Sequence, residues 1–523
     1  MAQKLFSRRD ALRLGTGSAV VLAAPAVHAS CHSGGLRIRR RTDFHSFDPM
    51  DTRGEDEVIT RNILAPLVRA KQTTQGNVEW EIVPHLATGW EVSDDGRKYS
   101  FALRSQTWSS GSNISADDVV ASFRRVAGMG AEKKPRNSVF WAQLKDVTNT
   151  GDSIEIVLES PVADFAKKVL PWGAACVVEG SRSSSAGTTS FGIDQGPTSG
   201  RFKICELVPG SHLSLERDEN WSGESAQLER ASFIVIHNDR VADARFAAGE
   251  IDVMRATPEV LYNRSPLLTD LLFSDRVRVV DTPASFVRYV AINPKTIDTP
   301  ELRRAIQLGI DPQEIVQSIY SDAPLSEGLV SVAYGFVPQH LLGSISEPTL
   351  SPDSGAARAL VEEVGATGRE IRIASRVFQS ELEIARRVAE QLQQIDLNPR
   401  LVQLESAQFF QELQFADNFD LAIRPVFYQE LDPTDATYQF QSSNFSFGFE
   451  NERYDELHER LPFIFDAEER RSVLQEMQGI VIEDGAILPI EDVQARWLTS
   501  PRIDANFLPD ASIGDLGDWS VDN

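Results

Sequence analysis

The sequence predicts an α/β protein of two lobes with a cleft between them. Residues from about 36 to 280 mix short alternating strands with a few helices, whereas from about 285 strands and helices alternate at lengths that suit an α/β sheet with parallel neighbours. With 523 residues, 41% of them hydrophobic and 24% charged, the chain can bury more than one core without the help of a metal or a disulfide. No internal repeat of 20 to 50 residues is apparent. A cleft between two lobes is a natural seat for a small ligand.

In the first half, Lys98-Tyr99-Ser100-Phe101-Ala102-Leu103 alternates as a strand with one buried face does, and Asp152 to Leu158 repeats the pattern. Between them, Ser115 is an N-cap for a helix over Val119 to Val126, with Asp117 and Asp118 suited to its N-terminus. Ser181 to Gly200 is rich in Ser, Gly and Thr and reads as a loop. In the second half, strands are expected at 288–292, 371–374, 400–404 and 419–423. Helices are expected from Pro300 to Leu308, Glu381 to Gln394 and Gln408 to Phe415.

The first 29 residues form an export signal. Lys4, Arg8, Arg9 and Arg13 precede an apolar run from Leu14 to Val27, which is too short and too rich in small residues for a permanent membrane helix. Ser7-Arg8-Arg9-Asp10-Ala11-Leu12 fits the twin-arginine pattern, the alternative being an ordinary secretory signal that carries two arginines. Val27-His28-Ala29 marks cleavage after Ala29. Cys31 follows, but His28 stands where a lipoprotein signal wants an aliphatic residue, which argues against a lipid anchor. A periplasmic location follows. There the remaining cysteines, Cys176 and Cys205, can pair; two buried free thiols are the alternative.

The net charge is −24, from 52 basic and 76 acidic side chains. Such a surface repels nucleic acid and anionic lipid. Eight histidines yield no zinc-protease helix; His28 and His32 have the spacing but straddle the cleavage site. There is no Gly-x-Ser-x-Gly elbow, no phosphate-cradling loop and no Cys-x-x-Cys pair. The adjacent acids Asp94-Asp95 and Asp117-Asp118 suit a turn and a cap better than a catalytic pair. No catalytic residue, metal site or cofactor is expected.

One segment is more specific than the rest: Pro84-His85-Leu86-Ala87, then Trp90-Glu91, then the Asp95-Gly96 turn, then Phe101-Ala102-Leu103-Arg104. Phe47-Asp48-Pro49, Trp108 to Gly111, Ala116 to Val119, Gly200-Arg201-Phe202, Ala247 to Val253, Asn293, Leu302 to Ile306, Ile310-Asp311, Asp432-Pro433 and Glu452 to Leu457 follow in collinear order. In these the chain resembles family 5 of the bacterial extracellular solute-binding proteins, the oligopeptide-, dipeptide- and nickel-binding group. Most of the matched residues read as turn and core positions.

The resemblance implies a type II periplasmic-binding-protein-like fold, with an extra subdomain in the first lobe. Residues 36–281 would form lobe 1, 282–487 lobe 2, and 488–523 a C-terminal return to lobe 1, with crossings near 280–286 and 485–491. It further implies a monomeric receptor for a peptide or other small molecule, delivering it to an inner-membrane ABC permease with its ATPase subunits. A secreted peptidase or glycosidase, and a periplasmic chaperone or chemoreceptor partner, are the alternatives.

In peptide-binding members of the family an acid three positions before the Asp-Pro pair grips the ligand's amine; here, before Asp432, that position holds Gln429, with Glu430 beside it. The family's cleft-lining lip maps onto Arg53, Gly54 and Glu55, where Arg53 can hold a carboxylate or phosphate. Arg424, Phe427 and Tyr428 lead into Gln429 and offer a cation and two rings. A ligand that is neutral or anionic is therefore expected.

Overall fold

The computed structural model describes residues 35–72, 80–151, 153–163, 165–180, 196–256, 266–272, 274–321, 326–405, 408–409, 418–427, 433–443, 448–505, 507–508 and 512–522. Its backbone is organised by one long mixed sheet. From one edge the strands run Asn398–Leu404, Glu370–Arg376, Leu421–Phe427, Arg278–Ile292, Ile487–Thr499, Val253–Ala256, Leu36–Arg40, Arg230–Val235, His212–Arg217 and Phe202–Val208, and Val330–Val332 pairs separately with Ile487–Thr499.

The two central strands are the longest and pair antiparallel from Arg278↔Thr499 to Ala291↔Ile487. Each carries further strands on one part of its length. Arg278–Ile292 receives Leu421–Phe427 from Phe286 to Ile292, whereas Ile487–Thr499 receives Val253–Ala256 from Arg496 to Thr499. The sheet therefore passes from one half of the chain to the other through this one pair, and its register shifts between Thr282 and Phe286.

Beyond that pair, Glu370–Arg376 lies parallel to both Asn398–Leu404 and Leu421–Phe427, and the helix Gln379–Gln394 makes the crossover that such pairing requires. Where Leu421–Phe427 meets Arg278–Ile292 the pairing turns antiparallel. In the second half the parallel neighbours expected from the sequence are thus confined to three strands, and parallel pairing also occurs in the first half, where Leu36–Arg40 lies parallel to Arg230–Val235 and Val253–Ala256. Both faces of this part are covered: Val287, Tyr289 and Ala291 enter one core and Val290 and Ile292 another, the period-two alternation of a strand buried on both sides.

A separate four-stranded antiparallel sheet, Ala87–Val92, Lys98–Leu103, Ile154–Leu158 and Leu144–Asn149, packs with the helix Ala116–Val126 around Phe101, Phe123, Trp141 and Ile156. Its first hairpin turns at Gly96, whose φ of +67° suits glycine, and Gly96 N–H donates to Ser93 O at 2.8 Å. The helix opens as expected: Ser115 and Asp118 cap each other's backbone N–H groups.

The segment after Thr499 returns to the first half. Ile503, Phe507, Ile513, Leu516 and Trp519 share a core with Leu36, Ile38, Phe202 and Leu213. Arg201 binds Asp515 and Asp518 at 3.1 and 2.8 Å, and Asp252 joins Arg37 at 2.8 Å to Arg502 at 3.0 Å. Among the described residues no helix is long and apolar enough to cross a membrane.

One expectation is corrected. Cys176 is a free thiol, sealed in the first-half core with its sulfur near Thr60 O and Trp172 O. It follows a short 3-10 turn, Gly173–Ala175. Cys205, half-buried on the edge strand Phe202–Val208, is disulfide-bonded and so is not its partner.

Candidate functional site

The lip around Arg53 is built by buried charge pairing. Asp48 accepts Nη1 and Nη2 of Arg125 at 2.7 and 2.5 Å, and both side chains are buried. The Asp48 carbonyl receives the N–H groups of Asp51 and Thr52, closing a turn. Gly54 then takes φ +54° and starts the helix Glu55–Ile63 without a side-chain cap. Inside that helix Asp56 pairs with Arg40 at 2.8 Å, both side chains buried, and accepts the N–H groups of His45 and Ser46. Breaking such a buried pair costs about 3–5 kcal/mol, so the start of the helix is firmly placed.

Asn137 ties this lip to a second segment. Its side-chain amide donates to Pro49 O at 2.8 Å and Thr52 O at 3.1 Å, and its backbone N–H donates to Met50 O. The neighbours of the tied residues are Arg53 on one segment and Arg136 on the other. Both are exposed, and neither makes a side-chain hydrogen bond or ion pair among the described residues.

These residues open onto a cavity of about 360 Å³, walled by Thr52, Arg53, Glu57, Arg136, Asn137, Lys168, Trp172 and, from the second half, Tyr438, with Val139, Phe140, Val169 and Ala174 completing it. Glu57 is occupied by Gly173 N–H at 3.0 Å and lies 4.0 Å from Arg61. Trp172 is only 5% exposed, and its indole Nε1–H has no acceptor among the described residues. Tyr438 is half-exposed and presents a ring from the other side. Close by in the chain, Ala163 N–H donates to Pro462 O at 3.0 Å, a direct bond between the halves.

The expected site residues are thus sorted. Arg53 lines the cavity, Gly54 makes its turn, and Glu55 turns away to accept from Thr42 Oγ1 at 2.9 Å. Arg424 is not part of this wall. It is half-buried on Leu421–Phe427 opposite Tyr289, whose hydroxyl burial pushes up in pKa against the opposing charge of Arg424. Phe427 ends the same strand opposite Phe286. Tyr428, Gln429, Glu430 and Asp432 lie outside the described residues.

Sequence reasoning missed Arg136, Lys168, Trp172 and Tyr438. Arg136 sits after Lys133-Lys134-Pro135, a charge run whose plain reading is a solvated face, and Trp172 follows a proline with no periodic pattern. A second concavity, walled by Glu450, Glu452, Asp455, Glu456 and Glu459, is of the opposite charge. Among the described residues no group of three or more His, Cys, Asp or Glu side chains is placed to hold a metal.

The sequence model of bacterial extracellular solute-binding proteins, family 5 Middle, matches residues 81–448. The probable D,D-dipeptide-binding periplasmic protein DdpA of Escherichia coli is 26% identical over 328 residues, which cover 60% of this chain and 61% of that protein, so the match spans about three-fifths of the relative's length. Among solved structures, the ABC transporter substrate-binding protein CtaP of Listeria monocytogenes superposes with a TM-score of 0.79 at 20% identity, covering 94% of this chain and 99% of that one. MoaA of A. tumefaciens R10, in complex with mannopinic acid, gives 0.77 at 18% identity, covering 93% and 99%. These superpositions show a two-lobe periplasmic-binding-protein fold.

Proposed function

The chain belongs to family 5 of the bacterial extracellular solute-binding proteins, and on that premise we propose that it is the receptor of an ABC importer, which captures a small organic or peptide-like solute between its lobes and hands it to the permease and ATPase subunits. The observation that carries this reading is the cavity whose wall is drawn from both halves, Arg53 and Trp172 on one side and Tyr438 on the other. We take the lobes as 36–281 and 282–487, with 488–523 returning to the first. A ligand touching both lobes gains contacts only in the closed arrangement, so it shifts an open–closed equilibrium that the paired strands Arg278–Ile292 and Ile487–Thr499 permit.

Export through the twin-arginine route, release into the periplasm after Ala29 and action as a monomer complete the proposal. The ligand does not depend on a free ammonium group, because Gln429 replaces the amine-gripping acid and the cavity wall is predominantly basic. Isothermal calorimetry against peptides, opines, sugars and sugar phosphates tests the reading, with the titrated solute recovered afterwards. One-to-one binding and unchanged solute support a receptor. Turnover of the solute would make the chain an enzyme.

A further inference from the structure

The wall of the cavity has a sign that the molecule as a whole does not share. The chain carries a net charge of −24, yet Arg53, Arg136 and Lys168 meet around one space in which Glu57, already engaged by Gly173 N–H, supplies the only carboxylate among the lining residues. Two of these cations, Arg53 and Arg136, have no partner among the described residues. Their backbones are held in a fixed relation, because Asn137, next to Arg136, bonds the carbonyl of Thr52, next to Arg53. The same wall holds Trp172, whose buried indole N–H lacks an acceptor. A buried donor left without an acceptor is costly, and an acceptor that reached it would remove that cost.

We infer that Arg53, Arg136 and the Trp172 indole form an anion-binding subsite that takes the carboxylate of a small polar organic acid, while Tyr438 of the second lobe covers the rest of the solute. This rests on the receptor reading and narrows it to a substrate class. A guanidinium group matches the planar, two-oxygen geometry of a carboxylate, and Arg53 and Arg136 bring two of them to the one cavity. Arg136, Trp172 and Tyr438 thereby become specificity-determining residues alongside Arg53.

The test pairs each acid with an uncharged counterpart of the same shape. Calorimetry is run on the mature chain with gluconate against glucose and with Ala-Ala against its C-terminal amide, and the Trp172 indole ¹H–¹⁵N signal, assigned with Trp172→Phe, is followed in the same titrations. At least one acid is expected to bind tenfold or more tightly than its counterpart and to shift the Trp172 signal saturably. Arg136→Gln should reduce that acid's affinity tenfold or more while leaving the counterpart's within twofold and the unfolding temperature unchanged. Binding of acids no tighter than that of the uncharged counterparts, an unmoved Trp172 signal, or an Arg136→Gln variant that keeps the preference overturns the subsite. In those cases the receptor reading survives if a neutral solute saturates the protein or is released from it on denaturation. It falls if no small molecule, charged or neutral, is bound.

Discussion

Arg125 grips Asp48 through two parallel hydrogen bonds of 2.7 and 2.5 Å in the interior of the first half, and the carbonyl of the same Asp48 closes the turn that delivers Arg53 to the cavity. A charge pair outside the cavity wall thus determines where a candidate ligand contact stands. Removing one partner leaves the other charge buried and uncompensated. Asp48→Asn and Arg125→Met are each expected to lower stability by about 3–5 kcal/mol and to weaken solute binding. The double variant should cost less than the sum of the two, because no orphan charge remains. Chemical denaturation of the three variants decides this, and strict additivity would contradict it.

The Arg53 side chain is exposed and makes no hydrogen bond or ion pair among the described residues. Arg53→Ala is therefore expected to leave the unfolding midpoint within about 0.5 kcal/mol of the parent while weakening the binding of an acidic solute by about 1–3 kcal/mol. A large loss of stability with binding intact would mean that Arg53 is structural.

The bond from Ala163 N–H to Pro462 O joins the halves directly, away from the paired central strands. It contributes about 1 kcal/mol to the arrangement in which the halves touch. Ala163→Pro deletes the donor. Small-angle scattering of the ligand-free protein should then show a larger radius of gyration, and affinity should fall several-fold. An unchanged scattering profile would show that the bond follows closure without favouring it.

Burial pushes the Cys176 thiol up well beyond its ordinary range, so the thiolate that reacts with disulfide reagents or alkylators is scarce. Cys176 should resist iodoacetamide in the native protein for as long as the fold persists and label fully in guanidinium chloride. Rapid native labelling at Cys176, read by peptide mass spectrometry, would place it nearer the surface than Thr60 O and Trp172 O allow.

Local pattern carried most of the fold. Ser115 with Asp118, the Asp95-Gly96 turn, and the strands Lys98–Leu103 and Glu370–Arg376 were all visible, because capping, turn chemistry and period-two burial are written in neighbouring residues. Strand direction was less so: that Leu421–Phe427 meets Arg278–Ile292 antiparallel depends on chain routing, which periodicity does not encode. The site was legible only where motif and geometry coincide, at Arg53 and Gly54. Arg136 and Trp172 reach the same cavity through Asn137 and through the packing of Trp172 against Trp80, contacts between segments that carry no local signal.

The strand Ile487–Thr499 also carries a pH dependence. Asp492 is buried, accepts Gln339 N–H at 2.8 Å through one oxygen, and has its carboxyl pushed up to about 6, by burial first and then by the neighbouring charge of Glu491. The next residue along from Gln339 is His340, whose Nε2 is buried without a partner among the described residues and whose pKa burial lowers to about 4. The two act in opposite directions. For Asp492 the folded state holds its proton more tightly than the unfolded chain, so the contribution to stability is full below about pH 4 and is lost as the pH rises through about 6. For His340 the folded state holds its proton less tightly, so the contribution is full above about pH 6.5 and is lost as the pH falls towards 4. Between pH 4 and 6 the two slopes offset each other in the parent protein. Single variants should separate them. The unfolding free energy of Asp492→Asn minus that of the parent should rise from pH 4 to 6 and then level off, the full span being about 3 kcal/mol. The same difference for His340→Gln should rise as the pH falls from 6.5 to 4. Profiles that run parallel to the parent across this range would show that neither group changes its proton occupancy on folding.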